Sequence, residues 1–202
     1  IADNPLGEAI SYCAIAQIHK ELNHVDSAEY YFKKGIRIFK DEEHPSGLTK
    51  PYYAYASMKG TTLSKEERGY MLKEALRIDE KSGDRDGIVT GLLGIADYQF
   101  KELSKDSLNA LLGRAVSLIS AYNLVHHLER FNKISSKTSA RFGDFKEAYS
   151  YLQEYIRLRK ISDKQKKNRE ILTAEVKYEV QLKSRQDLSL IHISEPTRLL
   201  AI

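Results

Sequence analysis

Apolar residues recur along this chain at the three- and four-residue steps of an α-helix, and the blocks they form repeat every 40 residues. The smallest members show it best. Ala16, Ala56 and Ala96 stand one period apart, and nineteen residues after each comes Gly35, Ala75 or Ala115. Between them fall Phe32, Leu72 and Leu112, with Leu152 continuing the row. Each row runs on into an aliphatic pair: Ile36/Ile38, Leu76/Ile78, Val116/Leu118 and Ile156/Leu158. A turn repeats too, as Leu63-Ser64-Lys65 and Leu103-Ser104-Lys105. Self-similarity at a fixed period of this size predicts stacked helical hairpins, each too small to bury its apolar face alone.

Polar and turn-forming residues place the hairpins near 4–44, 48–83, 86–122 and 124–160, an array over 1–156. Asp3-Asn4-Pro5 opens the first helix with a capping residue and a proline whose missing N–H is not needed there. Tyr12, Ile15, Ala16, His19 and Leu22 follow at helical spacing. Asn23-His24 makes a turn, Asp26 or Ser27 can cap the second helix, and Pro45-Ser46-Gly47 is expected to end that hairpin. Ser64 with Glu67 forms a capping box, and Gly83 supplies a left-handed stop. Asn123 falls where Gly83 fell one period earlier. The fourth hairpin turns at Gly143-Asp144 and resumes with Phe145, Ala148 and Leu152; its first helix is slipped by one place, with Phe131 and Ile134 arriving early.

At this point the pattern resembles a known family. A small residue after a large apolar one, a turn, then Ala-x-x-x-Phe-x-x-small is similar to the tetratricopeptide repeat (TPR). Ala28-x-x-x-Phe32-x-x-Gly35 matches best, and Gly143-Asp144-Phe145-x-x-Ala148 is next. The resemblance covers about residues 6–160. It implies an all-α, right-handed superhelical array of about four antiparallel helix hairpins. The departures are a period of 40 against the usual repeat of about 34, Arg68 and Leu108 where alanine is expected, and Tyr155 at the last small position. HEAT-type repeats share the longer period, but the small residues of the second helices favour the tetratricopeptide reading.

Beyond residue 156 the lattice stops. Six basic residues crowd Arg159 to Arg169 against Asp163 alone, and residues 157–187 read as a long charged helix with a weak seam at Ile171, Ala174, Tyr178 and Leu182. Such a helix behind a repeat array is similar to the TPR sensor region of bacterial histidine kinases and helix-turn-helix regulators. There it leads on to an output domain. Leu188 to Arg198, LSLIHISEPTR, resembles a translated sequencing-library adapter, so residues 188–202 are read as a non-native tail. The chain also starts at Ile1 rather than Met, which suggests part of a longer protein.

Composition narrows the function. With 42% hydrophobic residues a core is affordable, and a net charge of +4 is too small to argue for nucleic acid by itself. One cysteine, Cys13, excludes a disulfide framework, and no apolar run is long enough to span a bilayer. No phosphate loop, His-Glu-x-x-His or Gly-x-Ser-x-Gly motif is present, so no catalytic residue, metal or cofactor is expected. His126 and His127 are adjacent, which on a helix should turn them apart.

One constellation remains. His126, Arg130, Lys133, Lys137 and Arg141 fall at three- and four-residue steps on one side of a first helix. The resemblance implies that first helices line a peptide-binding groove, where Lys50 and Tyr53, and Gln17 and Lys20, hold equivalent places. A basic wall would suit an acidic peptide or a terminal carboxylate. The simpler reading is a solvated face opposite Phe131, Ile134 and Thr138. The expected function is a non-catalytic scaffold binding a protein or peptide, the sensory or regulatory module of a bacterial signalling protein, with self-association through 157–187. The rivals are a stand-alone adaptor or chaperone-type scaffold, and a nucleic-acid-binding regulator acting through 159–169. The compartment is not legible.

Overall fold

The computed structural model describes the backbone of residues 4–199, and side chains from 4 through 181 and at 183. Eight α-helices and one 3₁₀ turn account for most of it, and no strand occurs among the described residues. They are α1 (Pro5–Glu21), α2 (Val25–Asp41), α3 (Pro45–Ala56), α4 (Lys65–Ser82), α5 (Arg85–Tyr98), α6 (Lys105–Ala121), the 3₁₀ turn Val125–His127, α7 (Leu128–Arg141) and α8 (Phe145–Leu199). None is long and apolar enough to cross a membrane.

The elements begin at residues 5, 25, 45, 65, 85, 105, 125 and 145, so one helix with its connection always takes 20 residues. Two such modules make the 40-residue period. The split within a module varies. After α1, α2, α4, α6 and α7 a short turn follows, through Asn23, Glu43, Gly83, Asn123 and Gly143, all with positive φ between 50° and 84°. Asparagine and glycine tolerate that left-handed geometry at a helix end; Glu43 adopts it without either advantage. Helices α3 and α5 stop early, and longer connections fill out their modules.

Arginine holds those two longer connections. Arg68, in α4, donates to the carbonyls of Ala56 and Met58 and to Thr61 Oγ1. Arg141, in α7, donates to the carbonyls of Phe100, Lys101 and Leu103. Arg68 therefore departs from the repeat pattern with a task of its own.

The helix starts follow local chemistry. Asn4 accepts from Gly7 N–H, the Ser64–Glu67 capping box is complete, and Asp84 accepts from the amides of Asp86 and Gly87. Two expectations are corrected here. Pro45-Ser46-Gly47 opens α3 instead of ending a hairpin, because Pro45 takes the first helical position and His44 caps Gly47 N–H through Nδ1. Helix α2 starts at Val25 behind His24, which makes no side-chain cap, ahead of Asp26 and Ser27. The expected slip at the fourth hairpin is a 3₁₀ turn: the module opens on time at Val125, but α-geometry starts only at Leu128.

Each helix from α1 to α7 packs on the next, and α1 with α3, α3 with α5 and α5 with α7 touch as well. Among the described residues α2, α4 and α6 show no comparable mutual contact. The odd-numbered helices thus form one side-by-side layer. Ala16, Ala28, Ala75, Ala96 and Ala115 are completely buried, Phe32, Ala56, Leu72, Leu112 and Ala148 nearly so, and Gly35 is enclosed. At Gly35 an added Cβ would lie 2.5 Å from Cys13 Sγ and 2.9 Å from the Ala9 carbonyl oxygen. Burial pushes the Cys13 thiol up to about 11, which leaves it inert at neutral pH. Two expected packing residues are not buried. Leu152 is 41% exposed, and Gly143 is a solvent-facing turn residue like Gly83 and Asn123 at the equivalent turns.

The chain divides into two units, residues 1–155 and 156–202. In the second, α8 continues with its described side chains almost all solvent-facing, Ile171, Val176 and Tyr178 among them, and Arg159 pairs with Asp163 at 3.3 Å. Leu182 and the side chains of 188–202, where the adapter-like stretch falls, lie outside the described residues.

Two buried carboxylates tie α3 to its neighbours. Glu29 of α2 accepts from Tyr55 Oη at 2.8 Å, from Thr62 N–H at 2.9 Å and from Lys33 Nζ at 2.7 Å. Burial alone would raise its pKa, but those donors outweigh it and hold the carboxyl at about 2, against an ordinary 4.5. Asp79 of α4 accepts from Tyr53 Oη at 2.7 Å.

Two outcomes are expected. Gly35→Ala forces α1 away from α2 and should cost roughly 1–3 kcal/mol in denaturant unfolding; an unchanged midpoint would show that the helices do not touch there. A depressed folded pKa contributes stability that is full above the unfolded value and lost as pH falls. Stability should therefore decline between pH 4.5 and about 2, and Glu29→Gln should remove that part of the decline.

Candidate functional site

The layer of odd-numbered helices carries an open cavity of about 430 Å³ with walls from α1, α3, α5 and α7. Its position follows from the period. Lys50, Thr90 and Arg130 line it from the same place in three successive repeats, as Ser57 and Asp97 do from another. Four of the basic or aromatic residues expected in a groove, Lys20, Lys50, Tyr53 and Arg130, are brought together here. Gln17 and Lys50 border a neighbouring cavity of about 560 Å³, with Ile10, Ala14 and Ala54, that is more apolar.

Three cations, Lys20, Lys50 and Arg130, and three exposed carboxylates, Asp84, Asp86 and Asp97, line it, and of the cations Lys20 and Arg130 are the half-buried ones. Lys20 is half-buried and donates to Ser57 Oγ at 2.9 Å. Burial, then the Arg130 guanidinium, lowers its pKa. Arg130 is also half-buried, and burial depresses its pKa, with Asp97 acting in the opposite sense. Gly94 on α5 lies beside it, where an added Cβ would sit at ordinary contact distance, 3.6 Å, from Arg130 Nη2. Among the described residues no carboxylate lies within ion-pairing distance of either cation. A partly desolvated cation without a carboxylate partner favours an incoming anion.

The rest of the expected stripe goes elsewhere. Lys137 pairs with Asp97 at 3.3 Å, and both are about half exposed. Lys133 is exposed and does not line the cavity. Arg141 is engaged by the 99–104 connection, where it also stacks over Phe100 and Phe142. His126 donates from Nε2 to Asp86 Oδ1 at 2.6 Å, and His127 donates to the same oxygen at 3.0 Å.

That last pair corrects the sequence reasoning. Adjacent residues on a helix diverge at Cβ, yet these rings lie 4.1 Å apart and converge on one acceptor. The 3₁₀ turn at Val125–His127 and the reach of the imidazoles allow it, with Asp86 supplied by the neighbouring repeat. Asp86 and Asp97 were missed as site residues. The signal was available, because they stand 40 residues before His126 and Lys137.

Under the cavity lies the Tyr53–Asp79 pair. Burial, then the bond to Asp79, drives the Tyr53 hydroxyl far above its ordinary value, so it stays a donor. Burial raises the Asp79 carboxyl, with Tyr53 and Thr49 opposing as donors. Gly87 and Gly91 of α5 pass directly over the pair, and a Cβ at Gly91 would lie 2.6 Å from Tyr53 Oη.

Comparison with protein-family models, with curated proteins and with solved structures finds no match.

Tyr53→Phe removes the hydroxyl while keeping the ring, and leaves the buried Asp79 short of a donor. It should destabilise by about 1–3 kcal/mol in thermal or denaturant unfolding; a neutral result would show that Asp79 reaches water.

Proposed function

We propose that the chain is a non-catalytic, tetratricopeptide-like module that binds a protein or peptide through an acidic group, a side-chain or terminal carboxylate. In this reading the hairpins wind into a right-handed superhelix whose inner layer is the odd-numbered helices. The observation that carries it is the pair of half-buried cations, Lys20 and Arg130, facing one cavity with no carboxylate of the described residues at ion-pairing distance, while the acids on its walls, Asp84, Asp86 and Asp97, are exposed to water. Charge-assisted hydrogen bonds to an entering carboxylate would satisfy both, and a guanidinium can grip it with two parallel N–H donors. The adjoining apolar cavity, with Ile10, Ala14 and Ala54 on its walls, would take a neighbouring apolar side chain of the same peptide.

The buried acids Glu29 and Asp79 are held by Tyr55 and Tyr53, which suits them to architecture more than to proton transfer. The wider role proposed is sensory or regulatory, in a longer signalling protein, with residues 157–187 as relay or self-association segment. What supports it is the resemblance of a repeat array running into a charged helix, together with the solvent-facing Ile171, Val176 and Tyr178.

A fluorescent Glu-rich decapeptide with a free C-terminus, its amidated twin and a Lys-rich control should separate the possibilities. The acidic peptide should bind and the Lys-rich one should not. Lys20→Ala with Arg130→Ala should weaken binding by about tenfold or more while the circular dichroism stays unchanged. Loss of affinity on amidation alone would assign the site to the terminal carboxylate. Equal binding by the double variant would overturn the cavity as the recognition site.

A further inference from the structure

Asp86 lies on the rim of the 430 Å³ cavity, but the convergence of His126 and His127 on it is not used by the peptide reading. Asp86 sits in the first turn of α5, its amide held by the Asp84 side chain, so its position is set by the helix cap. The two histidines come from the turn that opens the equivalent helix one repeat later. One oxygen and two Nε2 atoms therefore meet from two repeats, all within 4.8 Å of one another. We propose that Asp86, His126 and His127 form a binding site for a divalent transition-metal cation of the zinc class.

Ligand type and spacing both point there. Two imidazole nitrogens and one carboxylate oxygen suit zinc, cobalt(II), nickel(II) or copper(II), and disfavour magnesium and calcium, which take oxygen donors. Bonds of about 2.0–2.2 Å in a tetrahedron separate ligand atoms by roughly 3.3 Å. The oxygen-to-nitrogen distances of 2.6 and 3.0 Å are shorter by about 0.7 and about 0.3 Å. A cation at the centre needs the carboxylate and the rings to part by that amount, a shift that the exposed side chains of Asp86 and His126 can supply. Each ring now donates its Nε2 proton to Asp86. On metal binding that proton shifts to Nδ1 through solvent, freeing the Nε2 lone pair.

Burial orders the three ligands. His127 is 10% exposed and acts as the fixed inner ligand, whereas His126 at 61% and Asp86 at 54% face water. That geometry gives a cation an entry path and leaves a fourth position for water. The bound cation would brace the start of α5 to the start of the next repeat.

Titration calorimetry with zinc chloride, and the visible absorption of added cobalt(II), test the site. One equivalent should bind, with a cobalt spectrum of tetrahedral intensity, and magnesium should not compete. His126→Ala and Asp86→Asn, at the exposed ligands, should each weaken binding about tenfold or more and abolish the zinc-induced rise in Tm. Their metal-free Tm values should stay near the parent's, which separates a lost ligand from a lost fold. His24→Ala is the control, because His19 and His24 approach at 3.4 Å between Nδ1 atoms and offer a second, two-nitrogen locus. Full binding in both ligand variants, or loss of binding only in His24→Ala, would overturn the assignment.

Discussion

Where two helices cross closely, the side chain at the crossing must be no larger than the gap, and in this chain that gap admits alanine or glycine. Ala16, Ala75, Ala96 and Ala115 have no exposed surface, and Gly35 has the Ala9 carbonyl where its Cβ would be. Every other feature is arranged around those contacts. The aromatic and aliphatic side chains, Phe32, Tyr52, Tyr55, Leu92 and Leu108, fill the space beside each crossing. Packing of this density leaves little freedom for one helix to slide along the next. The polar groups behind it, Asp79 under Gly87 and Gly91 above all, can then be positioned to a fraction of an ångström.

Much of this was legible in the sequence because small residues at helix crossings recur regardless of what lies on the outer face. The helix bounds, the capping box at Ser64 and the left-handed ends at Gly83 and Asn123 all have local causes, and local causes are written in adjacent residues. The 20-residue half-period was also there to be read in Asn4, Ser64, Asp84, Ser104 and Asp144, each directly ahead of a helix. It was masked by His24, His44 and Leu124, which occupy the same position with little capping signature.

The site was less legible, for a physical reason. A stripe on one helix says which residues share a face, but their use depends on the neighbouring repeat. Arg130 and Arg141 belong to one stripe; the first meets Gly94 and a cavity, the second meets the free carbonyls of a connection. Lys137 and His126 look alike as groove cations until the acids one period earlier, Asp97 and Asp86, are set beside them. Reading across the period as well as along the helix would have found those pairs. The exposed Leu152 teaches the same lesson: its place in the apolar row is regular, but no described helix packs over it.

The two Leu-Ser-Lys turns carry a consequence for how such a gene can change. Ser64 and Ser104 adopt almost the same backbone, φ −64°, ψ 166° and φ −67°, ψ 164°, each accepting the amide three residues on. Unequal recombination between them would excise residues 65–104 and splice Ser64 onto Lys105, producing a junction the polypeptide already contains. The number of 40-residue repeats can thus change without inventing a new turn.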